Sequence, residues 1–336
     1  MGDKTKIEWT NFFGQNSGAT WNPIAAFHKG KRGWACVKID PACRHCYAQQ
    51  INQTRPFGMG TGLPYDVESM SKVELDLVNL DQPIRWGKPR GIFVASMTDL
   101  FGNFVPEEYR RAIFVIMGFA QQHIFITLTK RIPEMVTWYL DQSHKPDFEI
   151  PQEYVTPAIL KAWKKRNGAI GLFPDSNIIV GISIGNQTSA DKALPYMKLL
   201  RQNYKNMKIM VSNEPALETV DFTGWEEIIS WLVTGGESGR DARPMHPHTA
   251  YASRDWALKN NIPFFFKQWG EYVPCSTKLV HGIKYDGVIF VKPDGSLGTG
   301  DDWFYGKENT IPMDKVGKKQ AGHLLDGIAY QQFPKV

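Results

Sequence analysis

Asn177-Ile-Ile-Val-Gly-Ile-Ser-Ile184 is apolar almost throughout and then breaks at Gly185-Asn186. The run does not alternate, so neither of its faces is written for water. A strand buried on both faces of a parallel sheet reads this way. The same signature recurs on either side of it. Upstream stand Gly91–Ser96 (GIFVAS) and His123–Thr129 (HIFITLT); downstream stand Lys208–Ser212 (KIMVS), Ser230–Thr234 (SWLVT) and Pro263–Lys267 (PFFFK). Between these runs the pattern turns helical. Pro106–Gln121 opens on Pro-Glu-Glu, which suits the first turn and its dipole. Ser189–Tyr204 carries an apolar face at Leu194, Met197, Leu199 and Leu200. Thr249–Asn260 begins with a capping-type Thr and ends before Ile262-Pro263. Strands alternating with helices imply right-handed βαβ units. The expected fold class is therefore α/β, a partial (β/α)6-type barrel of TIM-like kind.

Two segments interrupt the alternation. Residues 141–176 are polar and basic in the middle (Lys161, Lys164, Lys165, Arg166) and read as an inserted helix with loops. Residues 272–336 read as an antiparallel, β-rich appendage, with an extended run Ile283–Val291 followed by a Pro293-Asp294-Gly295-Ser296 turn. The expected organisation is a barrel over 1–271, carrying that insertion, and an appendage over 272–336 packed on it.

Apolar residues make up 42% of the 336 residues and charged residues 22%, enough for a sizeable core. No 18-residue apolar run exists, which excludes a helical membrane span. Met1–Thr10 is charged and lacks the apolar core of a secretory signal, so the expected location is the cytoplasm. The net charge of +5 fits ordinary solubility and equally a modest preference for a polyanion. Eleven Trp, twelve Tyr and nineteen Phe build a core first, but aromatics also stack on bases.

Three of the four cysteines fall within eleven residues: Cys36-Val-Lys-Ile-Asp-Pro-Ala-Cys43-Arg-His-Cys46. A disulfide framework would spread them along the chain, and a cytosolic chain keeps them reduced. The clustering points to a metal, because thiolates are soft ligands suited to zinc or to iron–sulfur clusters. A closed zinc site needs a fourth ligand, for which His28, His45 or Cys275 are the candidates. A four-iron four-sulfur (4Fe–4S) cluster held by Cys36, Cys43 and Cys46 keeps one iron open. Spacing leaves both metals in play.

A resemblance reaches further. Ile7-Glu8-Trp9-Thr10, Thr20-Trp21-Asn22-Pro23, Cys46-Tyr47-Ala48, Ser96-Met97-Thr98-Asp99-Leu100-Phe101, Leu128-Thr129-Lys130-Arg131, Gly181–Gln187, Glu214-Pro215, Gly235-Gly236-Glu237-Ser238-Gly239, Ala242–Met245, Phe265–Glu271, Asp326-Gly327 and Phe333-Pro334 run through most of the chain. Together they resemble a three-cysteine family of bacteria and phages, a radical S-adenosylmethionine (SAM) branch similar to spore photoproduct lyase. Six residues separate Cys36 from Cys43, where radical SAM enzymes usually have three. Ala25–Ala35 is longer and more basic than the family's pattern, and Gly185 stands where an acid is expected.

The resemblance implies a radical SAM partial barrel in which the open iron chelates SAM and an electron splits it to a 5′-deoxyadenosyl radical. It implies a site at the C-terminal ends of the strands. Ser96 and Asp99 would hold the SAM amino group, Asp99 having a helix cap as its alternative role. Lys130 and Arg131 would meet the SAM carboxylate or a substrate phosphate. Ser183 and Asn186 would reach the ribose. Asn213, Gly235, Gly236 and Glu237 would face the cofactor, and Glu214 either the site or its own turn. Arg240, Arg243 and His246 with His248, then Lys267 and Gln268, would contact substrate; a plain basic loop and an internal ion pair for Lys267 are the alternatives. Catalytic candidates besides the cofactors are Lys130, Glu214 and Glu237. Trp21 and Trp269 read as core or cluster-shielding residues, Cys275 as an ordinary thiol, and Phe57–Gly62 as a flexible loop.

The function this implies is modification or isomerisation of a nucleobase substituent, such as an N-linked to C-linked glycyl rearrangement on a hypermodified thymine of phage DNA. A DNA-repair lyase or tRNA-modifying enzyme is the near alternative. A zinc-stabilised nucleic-acid-binding protein without catalysis is the alternative of another class. The partners implied are DNA or a modified nucleotide and a flavodoxin-like electron donor, with the enzyme itself a monomer.

Overall fold

The computed structural model describes residues 4–56, 58–70, 73–142, 150–165, 176–276, 279–280, 282–283 and 286–335. Parallel strands form its framework: β1 (Gly18–Trp21), β5 (Gly91–Val94), β6 (Ile124–Thr129), β7 (Ile178–Ile184), β8 (Lys208–Asn213), β9 (Trp231–Gly235) and β10 (Phe264–Gln268). An antiparallel group of β2 (Ile24–His28), β3 (Lys31–Gly33) and β4 (Val73–Leu75) lies between β1 and β5 in the chain. The helices used below are α1 (Tyr47–Thr54), α2 (Glu107–Phe119), α3 (Ile132–Gln142), α4 (Pro157–Lys165), α5 (Gln187–Asn203) and α6 (Pro247–Lys259).

The chain divides into two compact units, 1–182 with 196–209, and 183–195 with 210–335. The first unit's share of the seven-stranded parallel sheet runs β1-β5-β6-β7, with Trp21 level with Val94 and Val94 level with Thr127. The second unit's share runs β8-β9-β10, with Asn213 level with Thr234 and Thr234 level with Phe266. Ile178–Ile184 is buried at every position, as its unbroken apolar run requires. The mixed α/β class with parallel strands is thus as expected. Each of the six expected strands is present within a residue or two. A seventh, Gly18–Trp21, was not foreseen.

The helices shift slightly. α6 starts at Pro247 rather than Thr249, because His246 caps it: its ring Nδ1 accepts the His248 amide at 3.1 Å and Pro247 takes the first turn. Of the expected insertion, α4 is present and carries Lys161, Lys164 and Lys165; Arg166 lies outside the described residues. In the C-terminal part of the second unit, Tyr272–Pro274 (β11), Val288–Val291 (β12) and Ile311–Lys315 (β13) pair antiparallel in the order β11-β13-β12. The Pro293–Ser296 turn closes on Lys292, with Gly295 at φ +79°. Part of the expected extended run, 284–285, lies outside the described residues. No helix among the described residues is long and apolar enough to cross a membrane.

The most compact device in the first unit is a clasp around Asn52 of α1, a fully buried residue. Its Oδ1 accepts the amides of Trp34 (3.0 Å) and Thr61 (3.1 Å), while its Nδ2 donates to Thr61 Oγ1 (2.8 Å) and the Leu63 carbonyl (2.9 Å). Every hydrogen-bonding position of the carboxamide is filled. A Cβ on Gly33 would collide with the Thr61 amide and Gly60, and one on Gly60, at φ +132°, with the Asn52 carbonyl. The glycine-rich stretch is therefore pinned at Gly60-Thr61 rather than flexible, with Phe57 itself outside the described residues.

Candidate functional site

The clasp fixes the entry to the cysteine loop at Trp34. From there Ala35 is buried and Cys36 partly so. The loop then turns on Asp40, whose Oδ1 accepts the Ala42 amide (2.8 Å) and whose carbonyl accepts the Cys43 amide (2.8 Å). Pro41 starts the short 3-10 turn Pro41–Cys43. Cys46 is the residue before α1, so its thiol sits where the first helical amides point. All three cysteines are free and partly exposed. Cys36 and Cys46 pack against a cluster of Trp34, Ala48, Tyr65 and Met97.

Electrostatics tie the three thiols together. The Cys36 thiol is pushed up to about 12, first by burial, then by the charge of Asp99, with smaller contributions from Cys46 and Cys43. Burial also raises Cys46, whereas the Gln49 and Ala48 amides and Lys130 favour its thiolate. The Tyr65 hydroxyl is raised by burial and by both Cys46 and Cys36, and it donates to the Met97 carbonyl at 2.6 Å. The thiols, Asp99 and Lys130 therefore share one neighbourhood. No group of three His, Cys, Asp or Glu side chains among the described residues is gathered tightly enough to hold a single ion.

Asp99 stands on a ledge after β5. Its Oδ1 accepts from Thr129 Oγ1 (2.7 Å) and the Phe101 amide (3.0 Å), and its Oδ2 from the Lys130 amide (3.2 Å). Burial raises its pKa, and those three donors oppose the rise. A carboxylate has about four acceptor positions, so one remains on Oδ2. Asp99 caps no helix, since the residues after it form turns up to Glu107, but it organises its own loop and keeps acceptor capacity. Ser96 donates to Asn22 Oδ1 (3.2 Å), which also accepts the Met97 amide (3.0 Å). The Ser96 carbonyl accepts the Tyr47 hydroxyl at 2.8 Å, linking this ledge to the residue after Cys46. Arg131 is buried, donates to the Val37 carbonyl (3.3 Å) in the cysteine loop and lies over the Phe104 ring. Asn22, Asn52, Tyr65 and Thr129 received no role from the sequence. Thr129 and Asn22 lie inside motifs quoted above, whereas nothing in the sequence marks Asn52.

In the second unit most of the expected site residues bind each other. Glu237 is buried and accepts from the Arg243 amide (2.8 Å), Nε (2.8 Å) and Nη2 (2.6 Å). Lys267 pairs with Glu214. Ser183 donates to the Glu214 carbonyl (3.2 Å), and Asn186 Oδ1 accepts the Ser189 amide (2.8 Å) as a cap for α5. His246 uses both ring nitrogens, one for its cap and one to the Asn309 carbonyl (2.9 Å). A Cβ on Gly236 would fall on the Trp269 carbonyl, so that glycine serves close backbone packing. Arg240 is exposed. Trp21 and Trp269 are core residues, each donating its indole N–H to a carbonyl, Asn79 and Leu324 respectively.

Three strand-end side chains of this unit behave differently. Asn213, fully buried, leaves both Oδ1 and Nδ2 without a partner among the described residues; Thr234 Oγ1 and Gln268 Oε1 are likewise unpartnered. They end β8, β9 and β10, with Asn213 and Thr234 level with each other and Gln268 level with Gly235. A buried polar group left this way costs about 1–3 kcal/mol. The set is neutral and offers donors and acceptors together, an inventory suited to an amide-like or nucleobase edge.

A family model described as "Protein of unknown function (DUF5131)" matches residues 4–334. No curated protein matches the chain. No solved structure matches it either.

Proposed function

We propose that this chain, which belongs to the DUF5131 family, is a radical SAM enzyme built on a partial TIM-like barrel and acting on a nucleobase substituent. The observation that carries the reading is the shared neighbourhood of Cys36, Cys43 and Cys46 with Asp99 and Lys130. A closed zinc tetrahedron needs four ligands on one ion. Three clustered cysteines without a fourth thiol nearby in the chain suit a 4Fe–4S cluster, which takes three protein thiolates and leaves one iron open.

In this reading Cys36, Cys43 and Cys46 hold the cluster. When bound, the cluster and SAM supply the electron and the 5′-deoxyadenosyl group for hydrogen abstraction. The chain's own residues do the rest. Asp99 offers its remaining Oδ2 position to an ammonium, and Lys130 balances the negative charge beside Cys46. Trp34, Tyr65 and Met97 keep water from the Cys36 side. An isomerase moving a glycyl substituent from nitrogen to carbon attachment is favoured over a lyase, on the resemblance described above; a DNA-repair lyase or tRNA-modifying enzyme is the second reading. A flavodoxin-like donor supplies the electron, and the cytoplasm of a bacterium or an infected host is the proposed location.

The test is anaerobic reconstitution with iron and sulfide, followed by incubation with SAM and dithionite. A brown protein that releases 5′-deoxyadenosine supports the proposal. A colourless protein with one tightly held zinc and intact SAM overturns it in favour of the non-catalytic binding module.

A further inference from the structure

We infer that the segment from Lys29 to Tyr47 forms a contact surface for single-stranded nucleic acid beside the cysteine loop. The choice of nucleic acid over another acidic partner rests on the nucleobase substrate proposed above. Lys29, Lys31, Arg32, Lys38 and Arg44 face a single acid, Asp40, over these residues, so the stretch supplies +4 of the chain's formal +5. Asp40 is occupied with the Ala42 amide, and Arg32 pairs with Asp76. Lys29, Lys31, Lys38 and Arg44 form no ion pair among the described residues, and Lys29, Lys31, Lys38 and Arg44 are exposed.

The fold presents these charges on ordered backbone. Lys29 and Gly30, at φ +48° and +73°, make the two-residue turn between β2 and β3, and Lys31 sits on β3, whose other side has no strand partner among the described residues. A strand advances about 3.3 Å per residue, so the hairpin tip lies about 10 Å along the chain from the Gly33 clasp. Lys38 donates to the Arg44 carbonyl (3.3 Å), which closes the cysteine loop and leaves its ammonium at the surface. Among these cations Tyr47 is 49% exposed, with its hydroxyl held by the Ser96 carbonyl at 2.8 Å, and Ile39 is 47% exposed. An exposed ring fixed at its far end, in the same stretch of chain as lysine and arginine heads that no acid neutralises, suits stacking on a base while neutralising adjacent phosphates. A strand held here brings an unstacked base toward Cys36 and Asp99, which chemistry on a base requires.

Fluorescence anisotropy of a labelled 20-nucleotide single strand, and of its duplex, tests this with the full chain before and after reconstitution. The single strand binds more tightly than the duplex. Lys29→Glu/Lys31→Glu and Lys38→Glu/Arg44→Glu each weaken that binding at least tenfold and flatten its salt dependence by about 0.7 log unit per lost phosphate contact. Tyr47→Leu weakens it about tenfold and Tyr47→Phe does not. Unfolding midpoints of the variants check that they fold. Unchanged binding in both charge-reversal variants overturns the inference. So does unchanged oligonucleotide binding combined with slower reduction by an acidic flavodoxin, which would assign the surface to the electron donor. Because binding needs no cluster, a chain that never takes up iron yet loses oligonucleotide affinity on charge reversal keeps this surface and sinks the radical reading alone.

Discussion

Around Cys36 the charged groups look toward unlike partners, whereas around Glu237 they look toward one another. In the first unit Asp99 is held by two amides and a hydroxyl, keeps an acceptor position and lies in the field of a thiol. In the second unit Glu237 is saturated by Arg243, and Glu214 is paired with Lys267. Both sets follow parallel strands, and both read alike in sequence. The difference is what supplies the compensating hydrogen bonds. Backbone amides fix a carboxylate without cancelling its charge, whereas a bidentate guanidinium fixes it and neutralises it. A charged group that is to meet a ligand needs the first kind of support. In the second unit that leaves the neutral Asn213, Thr234 and Gln268 as the groups with capacity to spare.

The sharpest way to break this contrast is through metal. Cys36→Ala, Cys43→Ala and Cys46→Ala each abolish the brown colour and the uptake of about four iron atoms expected of a cubane, while Glu237→Gln leaves iron content unchanged; iron and sulfide analysis after reconstitution checks both. Next is Arg243→Ala, which strands a buried carboxylate and costs about 3 kcal/mol. The double change Glu237→Leu/Arg243→Met recovers most of that loss, read as the urea midpoint. Asn52→Ala is expected to cost about 2 kcal/mol, because it leaves the buried Trp34 and Thr61 amides unpaired, and also to lower iron retention on gel filtration although Asn52 touches no cysteine.

A smaller effect has the opposite sign. Asn213→Leu removes two unpartnered polar atoms and raises stability by about 1 kcal/mol, read as the urea midpoint. The smallest is with pH. His123 is buried, its Nδ1 accepting the Arg90 amide (3.1 Å) and its Nε2 donating to the Pro83 carbonyl (2.9 Å). Burial lowers its pKa below 6.5, and the same holds for His246. The unfolded chain therefore takes up protons first, so stability is fully present above pH 6.5 and declines as pH falls through the folded values. Melting temperature is expected to drop between pH 7 and pH 5, with a shallower slope in His123→Gln.

The parallel strands were legible because each is buried on both faces and so reads as an unbroken apolar run; Ile178–Ile184 is the plainest case. Gly18–Trp21 escaped notice because Gly-Ala-Thr-Trp is short and begins with two small residues, and its place is earned by packing, with Ala19 and Trp21 fully buried. The hairpin at Lys29-Gly30 was hidden for a different reason. Two-residue turns advertise themselves through Asn-Gly or Asp-Gly, and here a lysine takes the left-handed position. Among site residues, clustering made the cysteines readable without any fold. Glu237 and Arg243 were both noticed, but their pairing depends on a loop that folds Arg243 back over six residues, and no periodic pattern announces such a return. The clasp at Asn52 could not be read at all, since a polar residue inside a short helix looks like any solvated one.

That clasp also bears on the order of events during folding. All four of its hydrogen bonds join residues no more than 18 positions apart. The ladder between β1 and β5, by contrast, must close a loop running from Gly18 to Gly91. Short closures are entropically cheaper and faster than long ones. The backbone leading into Cys36 is therefore shaped by local chain, ready in outline while the sheet around it is still assembling.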